Sequence, residues 1–175
     1  SYHYVAHPMV PLEKTAAMVN MDMIGHVRNN KMTVGGTGTC AAWKKILEKA
    51  EHGSPLIWRH GKSASGSSDH LGFVRKRIPV LVYNSGMNPY YHSPDDDAFR
   101  CNPRGAQEVL RTLFRTLVLA ANLNKKPVWT NYRSSIVSNR VNLGVRLRTH
   151  KKGARIVNVP PRTPGSLAGL KAEDI

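Results

Sequence analysis

Acidic residues are scarce in this sequence, with 11 Asp and Glu against 26 Lys and Arg and a formal net charge of +15. Such an imbalance invites a nucleic-acid reading. The bases, however, are spread over 44–49, 75–77, 111, 115, 125, 126, 133, 140 and 146–155, and aromatics are only 7% of the chain and do not interleave with them. A generally basic, solvated surface is expected, with no nucleic-acid partner. Long apolar runs are also missing. The densest, 117–121, is far shorter than the roughly 18 to 20 residues that cross a bilayer, which excludes a membrane span. The opening Ser-Tyr-His-Tyr-Val-Ala-His-Pro lacks an initiator Met, a positive leader and an apolar core, so it does not read as a signal peptide, and the compartment is open. Cysteine is limited to Cys40 and Cys101, without C-x-x-C spacing. They suit one disulfide or two buried thiols and decide no redox compartment.

What is present is an apolar share of 41%, too high for a disordered chain and sufficient for a core. Residues 15–24 form an apolar run broken by Asn20 and Asp22 and stopped by Gly25, which reads as a buried parallel strand delivering a side chain at its C-terminal end. Open α/β sheets place ligands there. A strand at 31–35 leads into Gly-Gly-Thr-Gly-Thr, where Thr39 is placed to cap a helix over 41–52. A strand at 54–59, a Gly/Ser loop at 61–68, a short helix at 69–76 and a buried strand at 78–84 follow. After an irregular loop rich in Pro, Asp and Tyr, Asn102 opens a helix to 123 with one apolar face. A polar linker, 125–140, separates these elements from strands at 141–147 and 154–159 and a helix starting at Leu167. Alternating β and α before the linker and β-rich sequence after it imply two folding units, each without closure at its outer end, as in a fragment.

Three places stand out chemically. Asp22 ends an apolar strand, where a carboxylate is costly unless paired, hydrogen-bonded or metal-bound; capping the turn before Gly25 is the plainer role. In Tyr90-Tyr91-His92-Ser93-Pro94-Asp95-Asp96-Asp97, the histidine offers a nitrogen to zinc, and Asp95 or Asp96 could fix its ring. An ordinary surface histidine is the alternative. Ser68-Asp69-His70 follows the Gly/Ser loop, with Asp69 a helix cap or a carboxylate near a metal site.

Met-Val-Asn-Met-Asp-Met-Ile-Gly at 18–25, Ser-Asp-His at 68–70, Ile-Pro-Val at 78–80 and Tyr-His-Ser-Pro-Asp-Asp at 91–96 together resemble the M28 family of zinc aminopeptidases over about residues 1–123. The resemblance implies a three-layer α/β/α fold, partial here, and a peptidase that removes N-terminal residues from peptides with two zinc ions. It implies Asp22 as ligand to one ion and His92 to the other. Tyr91 would stabilise the oxyanion, and Asp96 and Asp69 would be supporting carboxylates behind the ligands. The family also carries an earlier His-x-Asp pair and a Glu-Glu pair supplying the remaining ligands and the general base. Neither occurs before Asp22, so this stretch alone is expected neither to hold two ions firmly nor to hydrolyse a peptide. Many members are exported.

The sequence after the linker, with Asn142-Leu-Gly-Val-Arg146 and Thr163-Pro-Gly-Ser-Leu-Ala-Gly-Leu, resembles the opening half of a bacterial-type PDZ domain. That resemblance implies a peptide C-terminus held at Leu143, Gly144 and Val145 by β-augmentation. The expected domains are 1–124, the C-terminal part of an M28-like domain, and 141–175, a PDZ-like part. A non-catalytic M28-like binding domain and a zinc acyltransferase such as a glutaminyl cyclase are the alternatives.

Overall fold

A computed structural model describes residues 1–130, 145–150, 153–161 and 163–174, which fall into two compact units, Ser1–Ile136 and Val137–Ile175. The first unit contains α1 (Tyr2–Ala6), β1 (Met18–Met21), β2 (Lys31–Gly35), α2 (Ala42–Glu51), β3 (Ile57–His60), α3 (His70–Arg75), β4 (Val80–Asn84) and α4 (Pro103–Ala121). Its sheet runs β1-β4-β2-β3, with β1 parallel to β4, β2 parallel to β3, and β2 antiparallel to β4.

The strand β4, Val-Leu-Val-Tyr-Asn, builds both sides of this sheet because alternate side chains face opposite ways. Leu81 and Tyr83 join Met32 and Val34 of β2 beneath Trp43, Ile46 and Leu47 of α2 and Val109 and Leu113 of α4. Val80 turns to the other face, toward Phe73 and Val74 of α3 and Val5 of α1. Helices therefore cover both faces, the expected three-layer α/β/α arrangement. Their apolar spacing explains it: α2 buries Trp43, Ile46, Leu47 and Ala50, one stripe of its surface. Among the described residues no helix is long and apolar enough to cross a membrane.

Two expectations need correction, on Thr39 and on the last helix, and α1 was not expected. Among the described residues the first strand lies at the edge of the sheet and is half-buried, with Asn20 inside and Met21 exposed. Thr39 does not cap α2, whose N-cap is Ala41 without a side-chain bond. Its Oγ1 instead lies 2.6 Å from Gly36 O, 2.9 Å from Val80 O, 3.1 Å from Val80 N and 3.1 Å from Trp43 Nε1, pinning the turn after β2 onto β4. Only glycine fits at 36, where φ is +80° and a Cβ would stand 2.6 Å from Val80 O. The short α1 had no apolar period to announce it. The last helix, α5 (Pro164–Leu167), ends at Leu167 rather than starting there.

Part of the stretch read as linker is fastened to the first unit. Pro127 is buried, Trp129 packs on the α1/α3 side, and Thr130 N donates to Thr39 O at 3.0 Å. The second unit pairs β5 (Arg146–His150) antiparallel to β6 (Gly153–Asn158). Ile156 exchanges backbone bonds with 173–174, at 2.8 Å and 2.7 Å, and Arg155 pairs with Glu173. The expected strand at 141–147 is met from Arg146 onward; 141–144, with Leu143 and Gly144, lie outside the described residues, and Val145 just precedes β5.

Candidate active site

Asp22 follows β1 directly, and its backbone is held by the neighbouring strand. Its N donates to Tyr83 O at 3.1 Å, and Asn84 Nδ2 donates to its carbonyl at 2.9 Å. Ser85 bonds Met23 O through its N at 3.3 Å and through its Oγ. Met23 then takes the left-handed conformation, φ +61°, which costs a non-glycine residue energy and persists only where surroundings impose it. The turn after it docks on α4: Asn102 N donates to Gly25 O at 2.8 Å and Asn102 Nδ2 to Val27 O at 2.9 Å. The same Asn102 caps α4 through Gly105 N, at 2.9 Å. The result leaves Asp22 half-buried where β1 and β4 end, not deeply buried as expected from its strand.

His92 arrives on the exposed loop 85–101, again with a left-handed backbone, φ +55°. Its ring stacks on Tyr91, with centroids 3.8 Å apart and planes 18° apart. Short turns shape this loop. Tyr91 N donates to Asn88 O at 3.2 Å, Ser93 N to Tyr90 O at 2.9 Å, and Asp96 N to Ser93 O at 3.2 Å. Arg100 donates from Nε to Asp95 O at 2.7 Å and lies 3.8 Å over the Tyr90 ring. Among the described residues no hydrogen bond joins Asp95 or Asp96 to the His92 ring, which is held by stacking.

Strand end and loop meet at a cavity of about 320 Å³ lined by Asp22, Tyr91, His92 and Asp96, with His26 and Cys101 beside them. The two cysteines are free thiols, Cys40 buried and Cys101 exposed. A second cavity of about 490 Å³ shares Asp22 and Tyr91 and is walled by Ser63, Gly66 and Ser68 of the Gly/Ser loop, with Val82 and Met87. Asp69 lines neither cavity; its carboxylate is exposed, and it starts α3 without a capping bond.

Its neighbour His70, in the same Ser-Asp-His, has no spacing in the sequence that marks it as part of a site. His70 is fully buried at the edge of the second cavity, with Nε2 3.1 Å from Ala64 O and Nδ1 without a partner among the described residues. Burial pushes its pKa down, opposed by the Ala64 and Ser65 backbone and by the charges of Asp22 and Asp69. Asn20, from the same Asn-Met-Asp run as Asp22, ties β1 to that loop through Ser68 Oγ at 2.8 Å.

A carboxylate oxygen and an imidazole nitrogen are donors that suit zinc. Among the described residues no three His, Cys, Asp or Glu side chains gather closely enough to enclose an ion. Asp22 and His92 are one donor of each kind, and both line the smaller cavity.

The sequence profile of Peptidase family M28 matches residues 1–117. The chain belongs to peptidase family M28. Two solved structures share its fold. The LapA aminopeptidase of Legionella pneumophila is 20% identical with a TM-score of 0.55, over 70% of this chain and 36% of that one. BSAP, a zinc aminopeptidase from Bacillus subtilis, is 19% identical with a TM-score of 0.56, over 74% and 35%. The chain thus spans about a third of the length of these structures. No curated protein matches the sequence significantly. In this M28 chain the matched region takes in every residue of the two cavities.

Proposed function

We propose that this chain carries the later half of the metal site of an M28 zinc aminopeptidase. One observation carries the reading: Asp22 and His92, from elements far apart in sequence, line a single cavity together with Tyr91 and Asp96. Asp22 and His92 would each give one ligand to a two-zinc site. The remaining ligands and the general base would come from a His-x-Asp and a Glu-Glu pair in a longer protein. Bound zinc would supply Lewis-acid polarisation and an acidified water.

The other residues act as follows in this reading. The Tyr91 hydroxyl donates a hydrogen bond where the scissile carbonyl oxygen gains negative charge. Asp96, which lines the same cavity as His92, would steady that ring, and Asp69 adds negative potential from behind His70. The Gly/Ser-walled cavity beside Asp22 receives the N-terminal residue of the peptide, its small side chains leaving the space open. For the second unit, the β5–β6 hairpin followed by α5 supports a PDZ-like piece in which Leu143, Gly144 and Val145 meet a peptide C-terminus.

Zinc content and hydrolysis of aminoacyl p-nitroanilides by the full-length protein test the reading. About two zinc ions per chain and chelator-sensitive hydrolysis are expected. A folded full-length protein without zinc binding would sink it. Zinc-free binding of peptides would favour a non-catalytic M28-like domain.

A further inference from the structure

We propose that Asn84 is a positioning residue, an amide clasp that fixes the Asp22 strand end to the root of the loop carrying His92. The inference rests on Asp22 and His92 being zinc ligands. Asn84 is the last residue of β4 and uses both ends of its side chain. Nδ2 donates to Asp22 O at 2.9 Å, across 62 positions of sequence. Oδ1 accepts from Gly86 N at 2.6 Å, where the loop departs with φ +91°. One planar amide thus touches the residue that carries one proposed ligand and the first turn of the segment that carries the other. An amide is suited to this because it is donor and acceptor at once; a carboxylate only accepts.

The bond to Gly86 alone would make Asn84 an ordinary Asx-turn residue, since such turns join a side-chain oxygen to the N–H two positions on. The bond to Asp22 has no part in a turn. Breaking the second bond while keeping the first therefore separates the two roles. Asn84→Ser keeps a turn-forming oxygen, stays neutral and is too short to reach Asp22. Asn84→Asp keeps the shape and the turn but faces the Asp22 carbonyl with an acceptor. As a control, Thr116→Val breaks a buried bond between the same strand and α4, Tyr83 Oη to Thr116 Oγ1 at 2.9 Å, away from both cavities.

Zinc affinity of the folded full-length protein, measured by chelator competition, and thermal unfolding are read together for each variant. Asn84→Ser and Asn84→Asp are each expected to weaken one zinc by about tenfold, the scale at which partners behind metal ligands act. Thr116→Val is expected to lower the unfolding temperature and leave zinc affinity alone. Wild-type zinc affinity in both Asn84 variants, with or without a lower unfolding temperature, would overturn the clasp. So would losses no larger than that of Thr116→Val. Asp22→Asn reports on the reading underneath: if it binds zinc as wild type does, the metal site fails with its clasp, whereas loss of zinc there beside intact Asn84 variants removes only the clasp.

Discussion

The two segments that meet at the small cavity are built in opposite ways. Around Asp22, successive backbone groups are fastened by distant residues: Asp22 N by Tyr83, Asp22 O by Asn84, Met23 O by Ser85, and Gly25 O and Val27 O by Asn102. Around His92 the bonds reach three to five residues at most, from Asn88 to Tyr91, from Tyr90 to Ser93, from Ser93 to Asp96 and from Asp95 to Arg100. The strand end is placed by the whole fold, and the loop by its own turns. If the proposed metal site is built this way, it has one preorganised jaw and one that settles around what it binds. Mutations should separate the two: those supporting the strand end disturb folding and binding together, those in the loop binding alone.

The largest effects are expected at the two proposed ligands. In the full-length protein, Asp22→Asn and His92→Gln are each expected to lower kcat/KM by at least about 100-fold, since even partners behind a metal ligand cost 10- to 100-fold. Neither removes a backbone bond of its segment, so in metal-free buffer unfolding temperatures should stay close to wild type. A large drop in thermal stability for His92→Gln, measured by circular dichroism, would show that the loop is tied into the fold more deeply than its contacts indicate.

Thr39→Val comes next and probes the strand-end side. The substitution keeps the shape but leaves Trp43 Nε1 and Val80 N without their acceptor, both in a buried setting. Each such group costs about 1–3 kcal/mol. Chemical denaturation should show a loss of about 2 kcal/mol or more, with zinc affinity falling through the loosened β4. Unchanged stability would mean that the turn over 36–39 is held by backbone bonds alone.

These contrasts also explain what was legible in the sequence. Strand β2, helices α2 and α4 and the run Val80-Leu-Val-Tyr could be read because their apolar residues recur at the period of the element they form. Asp22 and His92 were reached through short motifs, which mark chemistry without showing its surroundings. What escaped depends on partners remote in sequence. Thr39 looks like a cap until Val80, 41 positions on, turns out to share its hydroxyl. Asn84 looks like the polar end of a strand until the chain brings Asp22 to it.

A smaller, pH-dependent effect is expected from His70. Its pKa is lowered by burial, so the unfolded chain binds this proton more readily than the folded one. The stability involved is fully present above the ordinary histidine pKa of 6.5 and is lost as pH falls below it, toward the lowered value. The slope is at most about 1.4 kcal/mol per pH unit for one proton. Denaturation between pH 7.5 and 5.5 should show this decline, and His70→Asn should flatten it. An equal decline in the variant would place the sensitivity elsewhere.

Pro94→Ala in the loop should have the smallest effect. Pro94 is exposed and two residues past His92, so the substitution removes no buried surface. It relaxes the unfolded chain, which costs the folded state about 0.5 kcal/mol. Zinc affinity should fall slightly, because a loop shaped only by its own turns loses one of the restraints that hold His92 near its binding conformation. Thermal unfolding and chelator competition on the same preparation decide the matter. If Pro94→Ala destabilised the protein as much as Thr39→Val, the division between a jaw set by the fold and a jaw set by local turns would be wrong, and the loop would belong to the same cooperative unit as the strand ends.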